Sequence, residues 1–539
     1  MKLLLTCGLL IAACLTGAAQ QEERCTVEGR VVKAGTGEPL SKAKILLQKT
    51  DSRDAFYSAS TNESGRFVIQ NVPPGRYRLG AERNGYLRTY YGQRRPNQPG
   101  TVLRLEPGQR VDNIVVNLVP FGVISGRVVD EDGEPMSRVR VAAMRLNFIN
   151  GRRDLAPVGS ADTTDDRGQY RLFGLAPGKY YISATPSPSF GGIPEADGDE
   201  EYVALFYPGV TDPGQAAPLE VAAGAEINSV DFRLARMPTV RVRGKVLSAV
   251  PDIRVERGIV VFLMPRGTPF SSGKNAVVDQ EGNFVIRGVA PGSYVLTAFR
   301  ADRQRRLFGR LPLEVGASSI DNVQLVLLPG LEVTGRVRFE EGTGKMETLR
   351  VLLDSLSGSI GGSGGSVAVK PDGSFVLQNM AADEYRISVL GLTEDCYLKA
   401  ARVGGMNVLD RSLDLTRGDV PGPIELLVSE AGGRVEGTVL KDDQQPAAGA
   451  TVVLVPDSDR RHRSVLFRST FADDSGNFVL RGIPPGNYRL LAWEDVEYGA
   501  WLDPDFLRGF ERSGEALSIS ERSRHKPQIK VIQAGSSSS

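Results

Sequence analysis

The chain has 539 residues with Lys+Arg 65 against Asp+Glu 64, and its net charge of +1 excludes a strongly basic nucleic-acid binder and an acidic disordered tail as organising themes. Apolar residues at 41% and charged residues at 24% are globular values, the length implies roughly three to five domains, and 61 Gly with 32 Pro favour many short strands over long helices. Two His and four Cys leave little material for a zinc centre or histidine-based catalysis, so no cofactor and no metal is expected.

Met1-Lys2, an apolar run from Leu3 to Leu15 and Thr16-Gly17-Ala18-Ala19 follow the order of a secretory signal, read as residues 1–19. The run is short of the roughly 20 residues a membrane helix needs, and no later segment comes close. Two cleavage readings compete. Gly17-Ala18-Ala19 suits an ordinary signal peptidase, whereas Leu10-Ile11-Ala12-Ala13-Cys14 resembles the bacterial lipobox, which would leave a lipidated Cys14 at the mature N-terminus. The plain alternative for Cys14 is a small apolar residue in a discarded peptide. Cleavage after Ala19 leaves Cys25 and Cys396, 371 residues apart; their pairing would need the array to fold back on itself, and two separate thiols are the simpler reading.

The rest of the chain is organised by an internal repeat. Val27-x-Gly29-x-Val31 opens the first copy, and the same element returns at Ile124/Gly126/Val128, Val242/Gly244/Val246, Val333/Gly335/Val337 and Val435/Gly437/Val439. One face is apolar, and the interior Gly marks a place where another backbone or a ring approaches closely. A third recurring strand (Ile45/Leu47, Val139/Val141, Val261/Leu263, Val351/Leu353, Val452/Leu454) follows. Next come Gly65-x-Phe67, Gly168-x-Tyr170, Gly282-x-Phe284, Gly373-x-Phe375 and Gly476-x-Phe478, each leading to a turn and a tyrosine: Gly75-x-Tyr77, Gly178-x-Tyr180, Gly292-x-Tyr294, Asp383-x-Tyr385 and Gly486-x-Tyr488. Alternating apolar residues on both sides of the turn are the signature of half-buried strands. Asp383 replaces the turn Gly in the fourth copy and tolerates left-handed backbone less well, so that turn is expected to differ. The acidic clusters before each Gly, such as Asp165–Gly168 and Asp473–Gly476, read as turns, because none continues with the spacing and distal Glu of a calcium loop.

Seven or so short strands per copy, without helical periodicity, predict an all-β chain: a tandem array of five seven-strand Greek-key β-sandwiches. Joints at Val119–Gly122, Met237-Pro238, Pro329-Gly330 and Gly432-Gly433 place the domains at 25–120, 121–237, 238–330, 331–432 and 433–533, with 534–539 a disordered tail. Joints this short predict a semi-rigid array. Inserts at Ser187–Glu201 and Ser355–Ser366 interrupt the pattern.

The opening strand, the Gly37-Glu38-Pro39-Leu40 turn and the Gly-x-Phe…Pro-Gly-x-Tyr block resemble the carboxypeptidase regulatory-like domain, a transthyretin-like sandwich related to the B-type repeats of collagen adhesins and to carbohydrate-binding-like folds. The resemblance covers residues 25 to 532, most securely in the first, second and fifth copies. It implies a fold, but that fold serves as an accessory to peptidases, a stalk, a sugar binder or a receptor front end. His462 and His525 stand alone in charged loops, unlike the ligands of a metallocarboxypeptidase. The inward positions of the first strand carry no Lys, so the isopeptide crosslink of the adhesin relatives is not expected.

No nucleophile elbow, phosphate-cradling loop, HExxH or CxxC is present. The basic stretches Arg300–Arg310 and Arg460–Arg468 suit an anionic polymer or, more plainly, exposed loops. Aromatic residues are the better candidates. Trp493 alternates with the core positions Tyr488, Leu490 and Ala492 and so lies outside the core, as does Phe299 in the third copy. Trp493, Tyr498 and Trp501 form one candidate sugar-stacking platform, and Tyr90-Tyr91 and Phe206-Tyr207 form two others. The competing reading packs these rings between sandwiches or under loops. The expectation is a non-enzymatic, exported scaffold or adhesion-like interaction protein whose partner is an envelope protein or a polysaccharide, not nucleic acid. The alternative is a carbohydrate binder that uses the outer aromatics.

Overall fold

The computed structural model describes residues 23–533 apart from 51–54, 94–99, 150–151, 160, 187–199, 252–254, 256–257, 267–272, 302–305, 343 and 357–363. The signal region with Cys14, the C-terminal tail and most of both inserts lie outside the described residues. The chain divides into two compact units, one ending at Phe121 and one beginning at Gly122. The first contains a single hydrophobic core, Cys25–Leu118. Among the described residues the second contains four main ones, Ile124–Leu234, Val240–Leu327, Val333–Val428 and Val435–Val531, and two smaller clusters on outer sheet faces. Each core lies between two layers of strands.

The first sandwich shows how the repeat builds them. Its opening strand, Cys25–Lys33, pairs antiparallel with Arg66–Val72 on one side and parallel with the closing strand Arg110–Leu118 on the other. The facing layer pairs Lys44–Lys49 with Phe56–Ser60 and with Gly75–Glu82. Inward side chains from both layers, among them Val27, Val31, Ile45, Leu47, Phe67 and Leu79, fill the space between. The third sandwich departs from this plan. Its ten-residue strand Arg306–Val315 pairs with Gly292–Ala301 along its length and, at Leu307 and Phe308, with Ile320–Pro329, so seven strands form one continuous path.

Three repeated contacts explain the motif. A Cβ on Gly437 would lie 2.2 Å from the Pro527 carbonyl and 2.8 Å from the Phe478 ring, and Gly29, Gly244 and Gly335 are confined in the same way by a parallel-strand carbonyl and Phe67, Phe284 or Phe375. The interior Gly is therefore the seat of the following Phe. In the second copy Tyr170 takes that place and donates its hydroxyl to the Val230 carbonyl at 2.5 Å. Each Pro-Gly tyrosine donates to the carbonyl four residues back: Tyr77 to Pro73, Tyr180 to Ala176, Tyr294 to Ala290, Tyr385 to Ala381 and Tyr488 to Pro484, at 2.6–2.9 Å. The acidic clusters are turns: Asp473 Oδ1 accepts from the backbone N–H groups of Ser475 and Asn477, and Asn62, Asp165 and Asp279 act alike.

Gly437→Ala is expected to destabilise the fifth sandwich by about 2 kcal/mol, because backbone and ring must both move. Gly35→Ala, where a Cβ meets nothing within 4 Å but φ is +86°, carries only the left-handed backbone term of roughly 1 kcal/mol. Hydrogen exchange of the Val435–Val439 amides and of the first sandwich measures the two.

Candidate functional site

The outer aromatic of the fifth sandwich is built by alternation. In the all-buried strand Thr451–Pro456, Val452 and Leu454 face the main core while Val453 and Val455 face a second cluster on the other side of the sheet. Leu491 and Trp493 join that second cluster, together with Trp501, Leu507 and Phe510. A short insert covers it. Asp503 caps a five-residue helix, Pro504–Arg508, by accepting from the Asp505 N–H at 2.9 Å, with Pro504 in the first turn. The Phe510 ring meets Trp493 edge-on at 5.5 Å, and Phe506 lies 5.9 Å away.

Trp493 is 2% exposed and Trp501 is 4% exposed, so the exposed three-ring platform does not form. Trp493 does point away from the main core, but the insert shields it. Tyr498 alone of the three is open, 70% exposed, with its ring edge-to-face on Trp501 at 5.3 Å. Phe206 is likewise buried, in a cluster with Met144 and Leu155 on the outer face of the second sandwich. Tyr207 is half-buried against Phe232. Phe299 stacks on Phe262, parallel at 6.3 Å. In the first sandwich Tyr91 packs against the core, whereas the Tyr90 ring lies on the outer face over Gly80. The local sequence signal of this cover is the Asp503-Pro504…Gly509 capping pattern with the two phenylalanines, Phe506 and Phe510, that accompany it.

The second unit also concentrates charged groups where one core follows the next. Lys274 reaches Glu201 at 2.5 Å. Arg310, on a strand of the third sandwich, reaches Asp383 of the fourth at 3.2 Å; Asp383 also accepts from Ser355 Oγ at 2.6 Å and from the Glu384 N–H at 2.9 Å. The Asp383 side chain is 2% exposed, and φ there is not positive. The fourth turn differs from the other copies because its residue serves a joint. Between the fourth and fifth sandwiches Arg463 meets Asp410 at 2.6 Å, Arg481 meets Glu394 at 3.1 Å, and Lys399 lies between Glu340 at 2.5 Å and Glu521 at 2.7 Å. Tyr397 donates to Glu521 at 2.9 Å.

The Arg460–Arg468 stretch is thus not an open basic loop. Arg460 stacks over Tyr488 and donates to Asp457 and the Pro485 carbonyl, Arg461 pairs with Glu511, and Arg463 serves the joint. Cys25 and Cys396 are both free and buried; Cys25 Sγ donates to the Glu106 carbonyl. Among the described residues no group of three His, Cys, Asp or Glu is placed to hold a metal ion, and no helix is long and apolar enough to cross a membrane.

At Glu340 and Glu521 a hydrogen bond from Lys399 to each, then one from Ser429 to Glu340 and from Tyr397 to Glu521, holds both carboxyls below their ordinary range, and the Lys399 charge adds to this against their desolvation. A depressed folded-state value means that the contribution is present above the ordinary glutamate range and is lost as pH falls through the folded values. Burial, then the bond to Glu521, pushes Tyr397 up to about 12, so its contribution is lost as pH rises from 10 toward 12. The joint is expected to loosen below about pH 4.5, and Glu340→Gln with Glu521→Gln should flatten that acid limb. Proteolytic nicking near Gly432 as a function of pH reads it.

These features define a protein of serial β-sandwiches. Residues 26–118 and 434–499 match the model of the carboxypeptidase regulatory-like domain. No curated protein matches the chain. Among solved structures it is similar to a minor pilin of Streptococcus agalactiae (15% identity, 40% of this chain and 97% of that one, TM-score 0.23). It is also similar to two B repeat units of the collagen binding protein of Staphylococcus aureus (11% identity, 76% and 100%, TM-score 0.14). For the Bacillus anthracis TIE protein the identity is 12% and the TM-score 0.17; the match covers 57% of this chain and spans about half, 51%, of that one.

Proposed function

We propose that the chain is a non-enzymatic, exported scaffold or adhesion-like interaction protein of the bacterial cell envelope, built from five sandwiches with the boundaries read from the repeat. The observation that carries this reading is the use of charge in the second unit: side chains that an active site would gather in one cleft are spent across successive joints, as at Arg310–Asp383, Lys399–Glu521 and Arg463–Asp410. The acidic clusters are spent likewise, on turns. The secretory order of residues 1–19 supports export to the periplasm, the outer membrane or the cell surface. Fractionation with mass spectrometry of the mature N-terminus tests it. The expected result is an envelope-fraction protein beginning at Gln20 or at a diacylated Cys14; a cytoplasmic protein retaining Met1 would sink it.

A further inference from the structure

The outer face of the second layer is treated differently from one sandwich to another. In the second it is covered by the segment that carries Phe206, and in the fifth by the helix and Phe510. In the first sandwich the same face holds cations instead. Arg76 and Arg78 project from Gly75–Glu82 and Arg104 from Val102–Leu105, all exposed, and Arg76 stands directly opposite Arg104 in the antiparallel register. Arg88 lies 5.4 Å over the Tyr90 ring, which itself rests on Gly80 one row away. Beyond them the edge strand presents Phe56, 61% exposed, with Ser58 and Ser60. Among the described residues none of these four arginines has a carboxylate partner; the one ion pair on the face is Lys44–Glu82, at its far end.

Two like charges directly opposite across strands are unfavourable. Three guanidiniums within two rows of one sheet, with a fourth on an aromatic ring beside them, therefore define a site completed by an external anion. Charge is distributed to match. Residues 20–121 hold 16 Arg and Lys against 10 Asp and Glu, whereas residues 122–539 hold 48 against 54, so the near-zero total conceals a basic first unit and an acidic remainder. The ligand is selected by what accompanies the cations. A flat ring backed by Gly80 stacks on a sugar, hydroxyls at Ser58 and Ser60 suit its hydroxyls, and the arginine rows match a chain that repeats its charge.

We propose that this face of the first sandwich binds an acidic polysaccharide, with Arg76, Arg78, Arg88 and Arg104 on its anionic groups and Tyr90 against a sugar ring. The proposal deepens the interaction-protein reading and rests on it; that reading is tested separately by the mature N-terminus, so either can fail alone.

Binding of the full chain to polygalacturonate, neutral dextran, inorganic polyphosphate and phosphatidylglycerol vesicles at low and high salt is the test, with thermal unfolding confirming that each variant is folded. The expected result is salt-dependent binding of polygalacturonate and none of dextran. Arg76→Gln/Arg78→Gln/Arg104→Gln should weaken it about tenfold or more. Tyr90→Ala should weaken polygalacturonate severalfold and leave polyphosphate unchanged. Arg30→Gln/Arg66→Gln, a cross-strand pair on the other sheet, should have little effect. The proposal is overturned if the parent does not bind polygalacturonate, if the triple variant binds as the parent does, if loss follows Arg30 and Arg66 instead, or if vesicles are preferred and Tyr90→Ala affects no ligand.

Discussion

Trp493→Ala is expected to unfold the outer layer of the fifth sandwich at a cost of about 3–5 kcal/mol, the largest effect of any single truncation proposed. The indole touches the sheet through Val453, Val455 and Leu491 and the insert through Phe506 and Phe510, so its removal leaves a void that a five-residue helix cannot close. Its N–H has no acceptor among the described residues, so little polar stabilisation is lost with it; the effect is one of packing. Tyr498→Ala, on a ring already in solvent, should change stability by no more than roughly 0.5 kcal/mol. The measurement is hydrogen exchange of the Thr451–Pro456 amides together with emission from Trp501, the other indole of the chain. A multi-domain chain has no single unfolding free energy, so a local probe is required. Equal, small effects of both substitutions would refute the account of this cluster.

The second prediction concerns Asp383. Its replacement by Ala leaves Arg310 without its carboxylate and removes the acceptor of Ser355 Oγ and of the Glu384 N–H. Losing one partner of a mostly buried ion pair is more damaging than the net worth of the pair, because the other charge stays where it is. The cost is expected to be about 3 kcal/mol, reduced from the fully buried limit because Arg310 keeps 28% of its side-chain surface in water. Asp383→Gly is the informative companion. It restores the turn residue of the other four copies, so if turn strain governed this position it would stabilise; if the ion pair governs, it will be nearly as harmful as Ala. A double-mutant cycle with Arg310→Ala isolates the pairwise part.

Elements set by local rules were legible in the sequence. Gly437 with Phe478, the turns at Asp473–Gly476 and the hydroxyl-closed turns at Tyr77 and Tyr488 follow from spacing within one copy. A further local signal lies in the same block: Asn71, Gly174, Gly288, Asn379 and Gly482 occupy one position in the five copies, and all have φ between +58° and +74°. Only Asn and Gly occur there because the strand bulges at that point. The short helix was likewise announced by Asp503-Pro504 and Gly509.

Other features have no local signature. The parallel pairing of Cys25–Lys33 with Arg110–Leu118 joins residues some 85 positions apart, and periodicity within either strand does not say which neighbour it takes. Alternation correctly set Trp493 outside the main core, but alternation distinguishes two faces of a sheet, not a wet face from a covered one. The chemistry of Asp383 was invisible for the same reason: in sequence it is an exception to a turn, and its partner lies on another sandwich.

That exception has a consequence for how such chains can be rearranged. A copy of the fifth sandwich inserted in the fourth place would set Gly486 opposite Arg310 and leave that guanidinium without its carboxylate. Modules that look interchangeable from their shared motif are in this respect keyed to their neighbours. Their order along the polypeptide is therefore itself under physical selection, and shuffling experiments should recover the native succession in preference to permutations of equal composition.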